Sequence, residues 1–186
     1  FRALLKNPKS DVTVLLITFF LTVIFDLTVA IEVGLVIACV LFMKRVMETT
    51  EISVITDEID PNKESDITVH EENLMIPKGI EVYEINGPYF FGIATKFEET
   101  MTQLGDRPKV RIIRMRKVPF IDSTGIHNLT ALCEMSQKEK TTIILSGVNE
   151  NVHNVLEKAG FYELLGKENI CPNINVALER AKSLVE

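Results

Sequence analysis

The chain has 186 residues, 46% of them hydrophobic and 25% charged, with 20 Lys and Arg against 26 Asp and Glu. This near-average globular composition excludes a collagen, a disordered tail and a disulfide scaffold, and a net charge of −6 argues against nucleic acid as a partner. The average conceals two unlike parts: residues 1–47 carry 5 basic and 3 acidic side chains, and the rest of the chain carries 15 and 23.

Residues 12–43 hold two charges, Asp26 and Glu32. A bilayer core takes about 20 helical residues. One helix over the whole stretch would run about 48 Å, too long for a single span, whereas two helices allow about 16 residues each. Arg2, Lys6 and Lys9 precede the stretch, and Lys44 and Arg45 follow it. Positive flanks at both ends suit a membrane hairpin that enters and returns on the cytoplasmic side. A soluble core hairpin is the alternative. No Gly or Pro lies between Asp26 and Glu32 to fix the return. These two carboxylates are read as caps at the far interface, with a functional intramembrane role as the other reading. The chain begins with Phe1 rather than Met, so it is expected to be a piece of a longer protein.

Residues 48–78 are acidic and read as a linker, within which residues 51–55 and 67–69 carry weak strand signals. From residue 79 the pattern alternates strands and helices. Residues 80–85 alternate apolar and charged side chains, as in a half-buried strand. Asn86, Gly87 and Pro88 signal a turn, and Tyr89, Phe90 and Phe91 follow as a short apolar run. Ile93, Ala94, Phe97, Met101 and Leu104 share a helical face. Residues 109–115 and 141–145 read as strands; Ile126 to Cys133, Val152 to Ala159 and Ile174 to Val185 read as helices. Gly160 stops the second of these helices. The result is an α/β domain with a largely parallel sheet flanked by helices, long enough for one core.

At the strand-to-helix junction stands Asp122-Ser123-Thr124-Gly125. Asp122 or Ser123 can cap the helix, Gly125 admits another group to its first turn, and the free N–H groups favour an anion there. Arg107, Lys109, Arg111, Arg114, Arg116 and Lys117 form a basic run, read either as a patch for anionic lipid or ligand or as a solvated strand face. His70, His127 and His153 lack partners at metal spacing, and no phosphate loop or nucleophile elbow is present. No catalytic residue, metal or cofactor is therefore expected. Cys39, Cys133 and Cys171 are widely spaced and suit a reduced setting.

Three runs, PKGIEVYEINGPYFFGIATKFEE, RIIRMRKVPFIDSTGIHNL and TTIILSGVNENVHNVLEKAGF, resemble the STAS domain of sulfate permease (SulP) anion transporters. DVTVLLITFFLTVIFDLTVAIEVGLVIACVLFMKR is similar to the last two membrane helices of such a transporter. The resemblance implies a transmembrane hairpin over 1–47, an acidic linker over 48–78 and a cytoplasmic STAS domain over 79–186. It implies a secondary transporter of sulfate- or bicarbonate-type anions in the cell membrane, with the substrate site in spans upstream of Phe1. It further implies a homodimer and a cytoplasmic regulatory partner. In the related anti-sigma-factor antagonists the first hydroxyl of this motif is phosphorylated. That makes Ser123, then Thr124, the candidates for a membrane-tethered phosphoswitch, with a structural cap and turn as the other reading.

Overall fold

A computed structural model describes residues 9–55, 58–59, 74–90, 93, 97 and 108–185. The chain divides into two compact units, Phe1–Thr49 and Thr50–Glu186.

The first unit is a pair of apolar helices, α1 (Lys9–Ile24) and α2 (Leu27–Thr49). The return is at Asp26, whose carboxylate accepts the backbone N–H groups of Thr28 (2.6 Å) and Val29 (3.1 Å). A capping carboxylate thus makes a turn that needs neither Gly nor Pro. Glu32 lies further along α2, exposed. Thr18 packs on Gly34, and the two stand equally far from Asp26, as an antiparallel pair requires. A Cβ at Gly34 would lie 2.6 Å from the Thr18 hydroxyl, so the missing side chain is what lets the helices approach. Residues Leu27–Glu48 are long and apolar enough to cross a membrane, with mean hydropathy 2.2, whereas the apolar part of α1, Val12–Ile24, is shorter. The two helices are therefore unequal, not matched at about 16 residues each.

The second unit is built on a five-stranded sheet. Its strands are β1 (Glu51–Ile55), β4 (Ile80–Asn86), β5 (Val110–Arg114), β6 (Thr142–Ser146) and β7 (Ile170–Cys171), in that spatial order. β1 runs antiparallel to β4, and the remaining neighbours are parallel. Two further short strands, β2 (Glu58–Ile59) and β3 (Leu74–Met75), pair with each other. β1 lies inside the stretch read as a linker. Its pairing with β4 moves the start of the domain from residue 79 to Thr50. Residues 67–69, the other strand signal of the linker, lie outside the described residues.

Helices cover both faces, as parallel strands demand. α6 (Ile174–Val185) covers the face of Ile80, Val82, Val110, Ile112 and Ile144 with its own Ile174, Ala177, Leu178 and Ala181. α3 (Ser123–Lys138) packs on β6, and Glu139 just beyond it reaches Arg111, which points to the opposite face. α4 (Glu150–Lys158) and the short α5 (Phe161–Leu165) complete that layer. Of the helical face from 93 to 104, Ile93 and Phe97 are described and buried; Phe97 meets Tyr83 and Tyr89 edge-on. Ala94, Met101 and Leu104 lie outside the described residues.

β4 is not half-buried. Glu84 and its neighbours Val82, Tyr83 and Ile85 are all buried, so the alternation of apolar and charged residues marks two covered faces.

Candidate functional site

Three loops meet at the carboxyl ends of β4, β5 and β6, where open α/β sheets place their ligands and partners. Gly87 leaves β4 with φ 122°, in the left-handed region that favours glycine. The Thr50 side chain packs where its Cβ would be, 2.6 Å away. The Gly87 N–H donates to the Lys117 carbonyl (3.2 Å), the Tyr89 N–H to the Phe120 carbonyl (3.0 Å) and the Asp122 N–H to the Tyr89 carbonyl (3.3 Å). The two loops are thus held side by side, and Tyr89 and Ile121 form a parallel bridge. Phe120, half exposed, stacks on the buried Phe90 with ring centroids 6.4 Å apart. Asn149 joins the third loop: its amide donates to the Val118 carbonyl while its oxygen caps α4 at Val152.

Asp122 caps α3. Its backbone is extended and its carboxylate accepts the Gly125 N–H at 2.6 Å. Gly125 is required sterically, because a Cβ there would lie 2.5 Å from the Tyr89 carbonyl oxygen. Ser123, Thr124 and His127 sit exposed on the first turns of α3. Among the described residues no hydrogen bond joins Ser123 to His127. The geometry instead presents two hydroxyls at a helix start, with the Asp122 carboxylate already engaged. Phosphate there would meet the helix N-terminus favourably and Asp122 unfavourably.

The basic run does not form one patch. Arg111 and Arg114 are buried, opposite Glu81 and Glu84 in the parallel register of β4 and β5. Arg111 Nε lies 3.3 Å from Glu81, which also accepts the Tyr83 hydroxyl at 2.8 Å, and its guanidinium reaches Glu139 at 4.0 Å. Burial, then the Glu81 hydrogen bond, holds the Tyr83 phenol well above its ordinary pKa. Glu84 faces Arg114 at 3.6 Å and Lys117 at 3.4 Å. Lys109 is exposed and donates to the Val185 carbonyl at 2.9 Å, and Arg116 is partly exposed. Arg107 lies outside the described residues. Both sequence readings are thus corrected at Arg111 and Arg114: opposite charge on the neighbouring strand draws them inward, away from lipid and solvent.

His153 pairs with the Tyr162 hydroxyl at 2.7 Å, a structural contact between α4 and α5. His70 lies outside the described residues. No group of His, Cys, Asp and Glu among the described residues could hold a metal. Sequence reasoning missed Tyr89 and Asn149, which hold the motif loop; Asn before Glu150 is a capping signal that could have exposed the second.

A helix-covered, largely parallel sheet with this loop at its carboxyl end defines a STAS domain, and residues 73–177 match that family. A crystallised sulfate transporter family protein from Wolinella succinogenes is 41% identical, covering 68% of this chain and 98% of that one, with TM-score 0.59. The chain belongs to the STAS-bearing sulfate transporter (SulP) family. YvdB of Bacillus subtilis is 27% identical over 167 residues, 89% of this chain and 29% of that protein. The chain thus spans less than a third of the length of the curated relatives it matches. The murine Slc26a9 anion transporter in its inward-facing state shares the fold at TM-score 0.73 and 18% identity, over 98% of this chain and 30% of that one.

Proposed function

We propose that this chain is the C-terminal part of a secondary active carrier of inorganic anions of the sulfate or bicarbonate type. In this reading α1 and α2 form a hairpin of a multi-pass protein in the cell membrane. The acidic domain is cytoplasmic and serves regulation and assembly, including a homodimer. The anion-binding residues belong to other membrane spans of the carrier. The observation that carries the reading is the joining of an outward-facing apolar helix pair to a STAS domain in one chain. The domain's relative from Wolinella succinogenes carries the sulfate transporter family name, and the Slc26a9 fold extends over both units. The full-length protein reconstituted in vesicles is expected to take up labelled sulfate or bicarbonate. Failure across a panel of small inorganic anions would overturn the reading.

A second reading, a membrane-tethered phosphoswitch read by a cytoplasmic protein, draws on the exposure of Ser123 and Thr124 at the start of α3. Cell extract with ATP should then retard wild type, and not Ser123→Ala, on a phosphate-retarding gel. An unshifted wild type would count against it.

A further inference from the structure

A cavity of about 330 Å³ opens at the end of the sheet opposite the motif loop, between the end of α3, the start of β6 and α5. That volume stands at the small end of ligand pockets, ~300–1,000 Å³. Part of its polar lining is committed to the fold. The Gln137 amide donates to the Leu164 carbonyl, the Thr141 hydroxyl to the Pro108 carbonyl and the Asn169 amide to the Leu165 carbonyl. The Asn169 oxygen accepts from Arg180.

Three lining side chains are uncommitted. The Lys140 ammonium, the Thr142 hydroxyl and the Cys133 thiol have no hydrogen-bond or ion-pair partner among the described residues. Cys133 is buried, and burial pushes its thiol up to about 12, so it stays a neutral S–H donor at physiological pH. All three can donate hydrogen bonds, and one is cationic.

The backbone of Lys140 is equally telling. With φ 62° it is the one non-glycine in the left-handed region among the described residues. It ends α3 at a position that usually falls to Gly or Asn. The closing carbonyls are occupied: Met135 by Glu139 N–H, Ser136 by Thr141 N–H and Gln137 by Lys140 N–H. They make no claim on the ammonium. Glu139, the nearest carboxylate in sequence, lies 4.0 Å from Arg111. The buried Ile143 and Leu165 supply the apolar part of the cavity's lining.

We propose that this cavity binds a small organic carboxylate, its charged end held by Lys140 and its alkyl end set against Ile143 and Leu165. An inorganic oxyanion would use the polar end and leave the apolar wall unfilled. The site is separate from the motif loop, and its test reads binding, so it stands or falls apart from the transport reading.

The full chain in detergent is titrated with butyrate and, separately, with sulfate, and followed by ligand-observed NMR and thermal unfolding. Butyrate is expected to bind and to raise the Tm of the domain. Lys140→Gly removes the ammonium and relaxes the backbone, so its unliganded Tm should equal or exceed wild type while butyrate affinity falls about tenfold or more. Lys140→Asn, which also tolerates the left-handed backbone, should behave alike. Three results would overturn the proposal: no butyrate binding to wild type, unchanged affinity in both Lys140 variants, or sulfate binding more tightly than butyrate.

Discussion

The helix pair and the α/β domain each invert the usual placement of side chains, in opposite senses. In the pair, large apolar groups such as Phe20, Leu35 and Phe42 face outward, each more than half exposed. In the domain, charged groups face inward: Glu84, Arg111 and Arg114 are buried beside Tyr83 and Ile113. The first inversion needs a medium other than water, since exposed apolar surface on this scale marks a membrane or partner contact. The second needs a partner charge within reach, since an unpaired buried ion is costly. One composition thus serves two opposite rules.

The comparison can be broken most forcefully at the buried ions. Glu81→Ala leaves Arg111 with Glu139, 4.0 Å away, and removes the acceptor of the Tyr83 hydroxyl. It is expected to destabilise the domain by about 3–5 kcal/mol in urea unfolding. A loss below about 1 kcal/mol would mean that the pair behaves as a surface pair. Next in size is Gly125→Ala, which forces a Cβ against the Tyr89 carbonyl and should cost about 2 kcal/mol by the same assay. Asp122→Ala removes the cap of α3 and should cost about 1 kcal/mol, whereas Asp122→Asn should restore most of it. The smallest effect belongs to the helix pair. Leu35→Ala should leave domain unfolding within about 0.5 kcal/mol of wild type, because its side chain lies outside the domain core.

The cysteines sharpen the contrast by a different readout. In detergent, Cys39 should react with a small maleimide at neutral pH, while Cys133 and Cys171 stay protected until the domain unfolds. Burial raises the Cys133 pKa from 9.0 to about 12. The unfolded state therefore gives up its proton first as pH rises. The contribution of Cys133 to domain stability should be constant below about pH 9, and stability should decline from there towards pH 12, less steeply in Cys133→Ala.

Much of the domain was legible because its signals are local. The strand and helix pattern from 109 to 159, the cap at Asp122 and the stop at Gly160 each follow from a few adjacent residues. The failures share a cause, which is pairing across sequence distance. Glu81, Glu84, Arg111 and Arg114 look like solvated positions until β4 and β5 are side by side. β1 looks like linker until β4 supplies its ladder, and β7, two residues long, has no periodicity of its own. At the motif, Asp122 and Gly125 were readable, but Tyr89 reaches them through its backbone carbonyl, which no side-chain pattern reports. In the helix pair, the turn at Asp26 was hidden because a carboxylate does there what Gly or Pro more often does.

The two acid–base couples of the sheet also act as an alignment code. Glu81 and Glu84 stand three apart on β4, as Arg111 and Arg114 do on β5, and each couple lies on a different face. Sliding β5 by one residue would turn its charges onto the wrong faces. Sliding it by two would keep the faces but set Arg111 against Gly79 or Tyr83. A slide of three would pair one Arg with a Glu but would swap the two faces of β5 and leave the other couple unmatched. Only the native alignment satisfies both couples, so these residues discriminate against misaligned strands during folding.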